Sequence, residues 1–192
     1  HRCYYLIARR GDAVVGVLPT VRLSSRLFGT YLVSMPFFNY GGALADSPSI
    51  EAALMVEAAS LAQRTGCSHF ECRDLSPRRL EWPVRLDKVV MELLLPDSTE
   101  ALDKQLGSKI RAQIKRPLKA GATATTGSLE LLDKFYAVFA RNMRDLGTPV
   151  YDKQLFASIL RTFPDTSRLI IIEIGGRPAA AGFIVRSGSR LE

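Results

Sequence analysis

The period of the apolar pattern changes several times along the chain. Tyr4–Ala8 and Val14–Leu23 are β-rich runs joined by Arg9-Arg10-Gly11-Asp12, whose Gly and Asp supply a hairpin turn. Leu27–Met35 predicts a third strand closed by Pro36, and Phe37-Phe38-Asn39-Tyr40-Gly41-Gly42 a loop. Ser47-Pro48 opens a helix, with a hydroxyl cap and Pro at the first helical position. That helix runs to Thr65 and stops at Gly66. Its Ala52, Ala53, Ala58, Ala59 and Ala62 suit close packing on a sheet. Cys67–Cys72 and Lys88–Leu95 predict two more strands, the second mostly apolar and therefore central.

From Ser98 to Gly121 the pattern becomes helical. Leu102, Leu106, Ile110, Ile114 and Leu118 recur every four residues and form one stripe, expected to be buried. Lys104, Lys109, Arg111, Lys115, Arg116 and Lys119 fall on the opposite side, with no acid between Lys104 and Lys119. Pro117 removes a backbone donor, which predicts a kink or break at Arg116. Ala122–Thr126 is a short strand. Ser128 caps a helix whose inner face is Leu131 or Leu132, Phe135, Phe139 and Met143, and Gly147 ends it. Asp152 caps a further helix with Leu155, Phe156, Ile159, Leu160 and Phe163 inward, stopped by Pro164. Arg168–Ile174 and Ala179–Arg186 are strands joined by Gly175-Gly176-Arg177-Pro178.

Composition narrows the class. The 192 residues are 47% hydrophobic and 23% charged, which excludes disorder. No run approaches the roughly 20 apolar residues of a membrane span. The chain opens His1-Arg2-Cys3 and closes on Leu191-Glu192, so both ends read as truncated and a longer protein is expected. The net charge of +7 suits a polyanionic partner, although a basic soluble surface gives the same figure. Cys67, His69 and Cys72 lack a metal-ligand spacing, so no metal is expected. Buried, reduced thiols in a cytoplasmic protein are the expectation instead. Gly-x-Ser-x-Gly is absent and His1 and His69 are the only histidines, so a nucleophile triad is not expected.

The chain carries a weak internal repeat. Leu6-Ile7-Ala8-Arg9-Arg10-Gly11 and the residues to Gly16 align with Ile170-Ile171-Ile172-Glu173-Ile174 and the residues through Ala181. The order around the second copy is strand, helix, helix, long hairpin, which resembles the start of a GNAT acyltransferase fold. The order around the first copy resembles the end of one. The expected fold is therefore α/β (α+β): two tandem GNAT-like (acyl-CoA N-acyltransferase) lobes, 1–96 and 97–192, with mixed sheets flanked by helices and each lobe partial.

Four stretches carry a closer resemblance. They are Val15–Pro19, Pro36–Gly42, Lys109–Arg116 and Phe135–Tyr151, the last being long and fairly specific. They resemble the FemAB-type (Fem) family of paired-GNAT transferases, in particular the branch encoded beside exosortase and exopolysaccharide systems. The resemblance implies an enzyme that moves an acyl or aminoacyl group from acyl-CoA or aminoacyl-tRNA to an amine of a peptidoglycan, cell-envelope or exopolysaccharide precursor. It implies no covalently bound cofactor and a cytoplasmic location. Activity is expected to need the longer protein rather than this piece alone.

The resemblance also suggests roles. Arg141, Asn142, Arg144, Asp145 and Tyr151 fall in the stretch that contributes to an acceptor pocket. Arg144 would clamp a phosphate or carboxylate and Tyr151 would hydrogen-bond the acceptor, both lining one cleft between the lobes. Asp145 and Tyr151 are the catalytic candidates. The bland alternative is a local Arg144–Asp145 ion pair beside a turn. Asn39 and Tyr40 sit where a GNAT lobe places its pyrophosphate loop and are candidate substrate contacts. The Arg/Gln-x-x-Gly-x-Gly/Ala pattern is missing there, so this lobe is not expected to hold coenzyme A in the standard way. Lys109, Arg111, Gln113, Lys115 and Arg116 are candidate contacts to tRNA or nucleotide phosphates or to a membrane surface; equally they form a solvated helix face. Glu71 and Glu173 are bases or, more simply, paired in the sheet. Two rivals remain: a non-catalytic GNAT-like scaffold, and a basic nucleic-acid-binding module, which lacks any helix-turn-helix, zinc or RNP signature.

Overall fold

The computed structural model describes residues 1–74, 81–87 and 89–192. Those residues form a mixed α/β protein with two sheets and five α-helices. They divide into two compact units, His1–Leu93 and Leu94–Glu192.

The first unit begins with the hairpin of β1 (Arg2–Arg10) and β2 (Ala13–Ser25). Gly11 turns it with φ of +59°, a conformation that costs glycine little. β3 (Gly29–Ser34) continues antiparallel to β2, and the two-residue β4 (Leu44–Ala45) pairs with β2. α1 (Pro48–Arg64) is capped by the Ser47 side chain on the Ile50 amide and stops at Gly66. It packs Leu54, Met55 and Ala58 against Leu18, with Leu6 and Ala8 beside them. β5 then pairs parallel to β3, but only over Phe70–Glu71 rather than across Cys67–Cys72. The second expected strand begins at Lys88, outside the described residues, and Val89–Leu95 form no strand. Those residues lie exposed, so the expected central position is not theirs.

The second unit starts with two helices where the four-residue ladder predicts one. α2 (Thr99–Gln105) is capped by Ser98, and α3 (Gly107–Lys119) follows it. Gly107 has φ of +71°, which no continuous helix accommodates, and so the ladder is cut between Leu106 and Ile110. Of the kink or break expected at Arg116, the break does not occur: α3 runs through Pro117 to Lys119. A four-stranded sheet follows in the order β6-β7-β8-β9, from β6 (Thr123–Gly127), β7 (Ser167–Ile174), β8 (Arg177–Ser187) and the short β9 (Arg190–Leu191). All its pairings are antiparallel. Between β6 and β7 come α4 (Leu132–Asp145) and α5 (Lys153–Thr162). Ser128 does not cap α4 through its side chain; a 3-10 turn at Leu129–Leu131 intervenes, and Glu130 folds back onto the Ser128 amide at 2.7 Å. Asp152 does cap α5, at the Gln154 amide.

The core of this unit joins Leu131, Leu132 and Phe135 to Phe156, Ala157 and Leu160, over Leu169 and Ile171 of β7. The rings of Phe135, Phe139, Phe156 and Phe183 pack at centroid separations of 4.9–6.0 Å. Phe163, expected inward, is exposed because α5 has already ended at Thr162.

The two long hairpins share a detail beyond their alignment. In the first, Ala8 pairs with Gly16 but Arg9 pairs with Val14, leaving Val15 as a bulge. In the second, Ile172 pairs with Ala180 but Glu173 pairs with Pro178, leaving Ala179 as the bulge. The register shift therefore falls at the same aligned position in both.

Candidate functional site

Two places in the structure concentrate candidate chemistry, one in each unit.

In the second unit the site grows from the C-terminal half of α4. Leu132 and Phe135 anchor the first turns in the core. One to three turns later the same helix presents Val138, Phe139, Arg141, Asn142 and Asp145 toward the start of β8. There the strand carries Pro178, Ala179, Ala180 and Ala181, and these short side chains leave a pocket of about 390 Å³. Gly147, at φ of +65°, ends α4 just past the pocket. Its amide reaches the Arg144 carbonyl at 3.0 Å and the Thr148 amide reaches the Met143 carbonyl at 2.9 Å, which fixes the helix end.

Of the residues expected in an acceptor pocket, the structure brings Arg141, Asn142 and Asp145 together. Arg144 and Tyr151 are not among the lining residues. Arg144 instead turns onto its neighbour, with Nε and Nη2 at 3.0 and 2.8 Å from Asp145 Oδ1. That pair is exposed on both sides and contributes little stability, but it orients the carboxylate. Tyr151 is half-buried against Phe139, ring centroids 6.0 Å apart, and its carbonyl accepts the Tyr136 hydroxyl at 2.9 Å. Within this unit the pocket lies on the face of α4 turned to β8, and neither Arg144 nor Tyr151 lines it. Arg141 has no acidic partner among the described residues. Glu173 is held by Lys134 at 3.0 Å and Glu71 by Arg73 at 2.7 Å, the pairing that is the simpler of the two readings of these residues.

In the first unit the candidate is the loop after β3. Met35 and Phe37 have φ of +44° and +76°, strained for residues with a Cβ. Gly41 crosses so close to Met35 that a Cβ there would lie 2.3 Å from the Met35 Cβ. Arg73, one residue beyond Cys72, pins this loop. Its carbonyl accepts the Gly41 amide at 2.9 Å, its Nη1 donates to the Phe38 carbonyl at 3.0 Å, and its own amide donates to Ser34 Oγ at 3.1 Å. Asn39 is exposed and Tyr40 half-buried in the same loop. Neither Arg73 nor Ser34 was legible as a site residue, because a lone Arg after a short strand carries no local signal.

Open backbone amides at a helix N-terminus make a ready site for a diphosphate. Downstream of this loop, α1 offers few: Pro48 has none, and the Ile50 and Glu51 amides are bonded to Ser47. Glu51 also puts a carboxylate in the first turn. The residues here do not fit the diphosphate of coenzyme A.

The basic helix differs from expectation. Ile110, Ile114 and Leu118 are 44%, 47% and 61% exposed, and α3 buries none of its residues. Arg111 is the half-buried one. Its Nη1 donates to the Asp103 carbonyl at 2.9 Å and its Nε lies 3.9 Å from the Asp103 carboxylate, so it ties α3 to α2. Gln113 is exposed beside Lys109, Lys115 and Arg116.

His69 stacks on Tyr31 at 5.2 Å with its Nδ1 bonded to Ser68 Oγ. Cys3 is exposed, and Cys67 and Cys72 are half-buried rather than fully buried. Among the described residues no group of three or more His, Cys, Asp or Glu is placed to hold a metal ion, and no helix is long and apolar enough to cross a membrane.

Comparison with known families bears on the second unit. Residues 108–192 match the acetyltransferase (GNAT) domain family. No curated protein matches the chain. The GNAT match supports acyl transfer as the chemistry, and GNAT acetyltransferases take an acyl-CoA as donor. It covers α3 almost entirely, both helices α4 and α5, and the whole second sheet.

Proposed function

We propose that the pocket between α4 and β8 is the acceptor site of an acyltransferase. One observation carries the reading: every residue lining the pocket falls within the segment that matches the GNAT domain. Transfer to an amine requires the amine to be positioned and its proton to be taken up. Arg141, with no acidic partner among the described residues, supplies a guanidinium for an anionic group of the acceptor. Asn142 supplies a donor and an acceptor to its polar neighbours. Asp145, its carboxylate held by Arg144, receives the amine proton. Tyr151 steadies Phe139 at the pocket wall.

The finer reading is a FemAB-type transferase that modifies an amine of a cell-envelope or exopolysaccharide precursor, with acyl-CoA or aminoacyl-tRNA as donor. A phosphate or carboxylate on such a precursor would suit Arg141. The strained loop at Asn39 and Tyr40 belongs to the first unit and is a second candidate contact for substrate.

The test supplies the protein at its full natural length with acyl-CoA and with aminoacyl-tRNA, each with amines that do or do not carry phosphate, and detects acylated product by mass spectrometry. Product from one donor is expected. Arg141→Ala should raise KM for the phosphate-bearing amine while leaving an uncharged amine nearly unaffected. Absence of acylated product with either donor across both acceptor classes overturns the reading.

A further inference from the structure

Helix α3 presents an apolar stripe and a set of cations to solvent together. At about 100° per residue, Ile110, Ile114, Pro117 and Leu118 fall within an arc of about 100°. Beyond one edge of that arc come Gln113 and then Lys109 and Arg116; Arg111 and then Lys115 border the other. Arg111 is spent on α2, but Lys109, Lys115, Arg116 and Lys119 have no acidic partner among the described residues. The three aliphatic side chains remain about half exposed or more.

We propose that α3 docks the protein on an anionic lipid surface. The aliphatic stripe enters the boundary between headgroups and acyl chains, and the flanking cations pair with lipid phosphates. The pairing of the two features selects this partner. A nucleic acid offers the same phosphates but no apolar layer for Ile110, Ile114 and Leu118, and α3 has no aromatic side chain to stack on a base. A stripe this narrow cannot bind by burial alone, so attachment is reversible and depends on charge.

Flotation of the protein with vesicles of phosphatidylcholine, and with vesicles in which part of it is replaced by phosphatidylglycerol, tests the proposal. Binding to the anionic vesicles alone, released by salt, is expected. Ile110→Ser with Ile114→Ser should weaken it more than about tenfold. Lys115→Gln with Arg116→Gln should weaken it about fivefold for each cation removed. None of these positions is buried, and an unchanged far-ultraviolet circular dichroism spectrum verifies folding. Equal binding to both vesicle types, no binding to either, or undiminished binding by the isoleucine pair overturns the proposal. So does binding of tRNA that survives the isoleucine substitutions while vesicles are ignored, since the cations would then serve nucleic acid.

Discussion

Ile7 and Ile171 hold the same aligned position in two hairpins of the same register, yet Ile171 is fully buried and Ile7 is 51% exposed. The difference lies in which face each unit covers. In the first unit, α1 packs on the side of Leu6, Ala8 and Leu18. In the second, α4 and α5 pack on the side of Leu169, Ile171, Ala181 and Phe183. A strand turns successive side chains to opposite faces, so the two units use opposite sides of the same hairpin.

This relationship predicts unequal costs for one chemical change. Ile171→Ala should lower unfolding stability by about 2–5 kcal/mol, since it opens a cavity beneath Phe156 and Leu160. Ile7→Ala should change stability by no more than about 0.5 kcal/mol. Urea unfolding of the two variants beside the parent protein measures both, and comparable losses would contradict the assigned burial.

The loop after β3 should depend on Gly41 through Met35. Gly41→Ala places a Cβ 2.3 Å from the Met35 Cβ and 2.4 Å from its Cγ, and Met35 is itself strained at φ of +44°. A loss of about 1–3 kcal/mol follows. Met35→Gly in the same chain should restore much of it, a coupling that a double-mutant cycle reads directly. Independent, additive losses would show that the two residues do not share this contact.

Much of the fold was legible because the signals were local and strong. Gly11, Gly66, Gly147 and the caps at Ser47 and Asp152 each act where the local sequence says they should. The misreadings have physical reasons. Leu106 and Ile110 keep a helical spacing, but Gly107 between them adopts a left-handed conformation that spacing does not report. Val89–Leu95 have the composition of a buried strand, yet composition does not supply a pairing partner. The candidate site was half legible. Arg141, Asn142 and Asp145 were readable as polar residues near a helix end, whereas the pocket itself comes from the short side chains of Ala179–Ala181 across the sheet. Only tertiary structure reveals that.

Glu130 should give the second unit a small acid sensitivity. The backbone amides of Ser128 and of Glu130 itself hold its carboxyl below the usual carboxylate range. The sign follows from that depression. The stabilisation is complete above the ordinary carboxylate pKa of the unfolded chain and is lost as pH falls through the lower folded value. Glu130→Gln should therefore shift the urea midpoint near neutral pH, and the gap from the parent should close in acid. A gap that stays constant between neutral and acidic pH would exclude this contribution.

Asp145 and Tyr151 should separate chemistry from support at the pocket. Asp145 stands at the pocket's edge with one oxygen held by Arg144, so replacing it removes a proton acceptor while leaving the packing untouched. Asp145→Asn should lower kcat by about 10²–10⁴-fold with KM nearly constant, the range for loss of a general base. Arg144→Ala frees the carboxylate without removing it, and a smaller fall in kcat is expected. Tyr151→Phe deletes one hydroxyl and keeps the ring against Phe139, so the melting temperature should hardly move. If Tyr151 only supports the wall, kcat is retained as well; if its hydroxyl reaches the acceptor, kcat falls with stability unchanged. Rates and melting curves for the three variants decide these roles, and full turnover by Asp145→Asn would remove Asp145 from the mechanism.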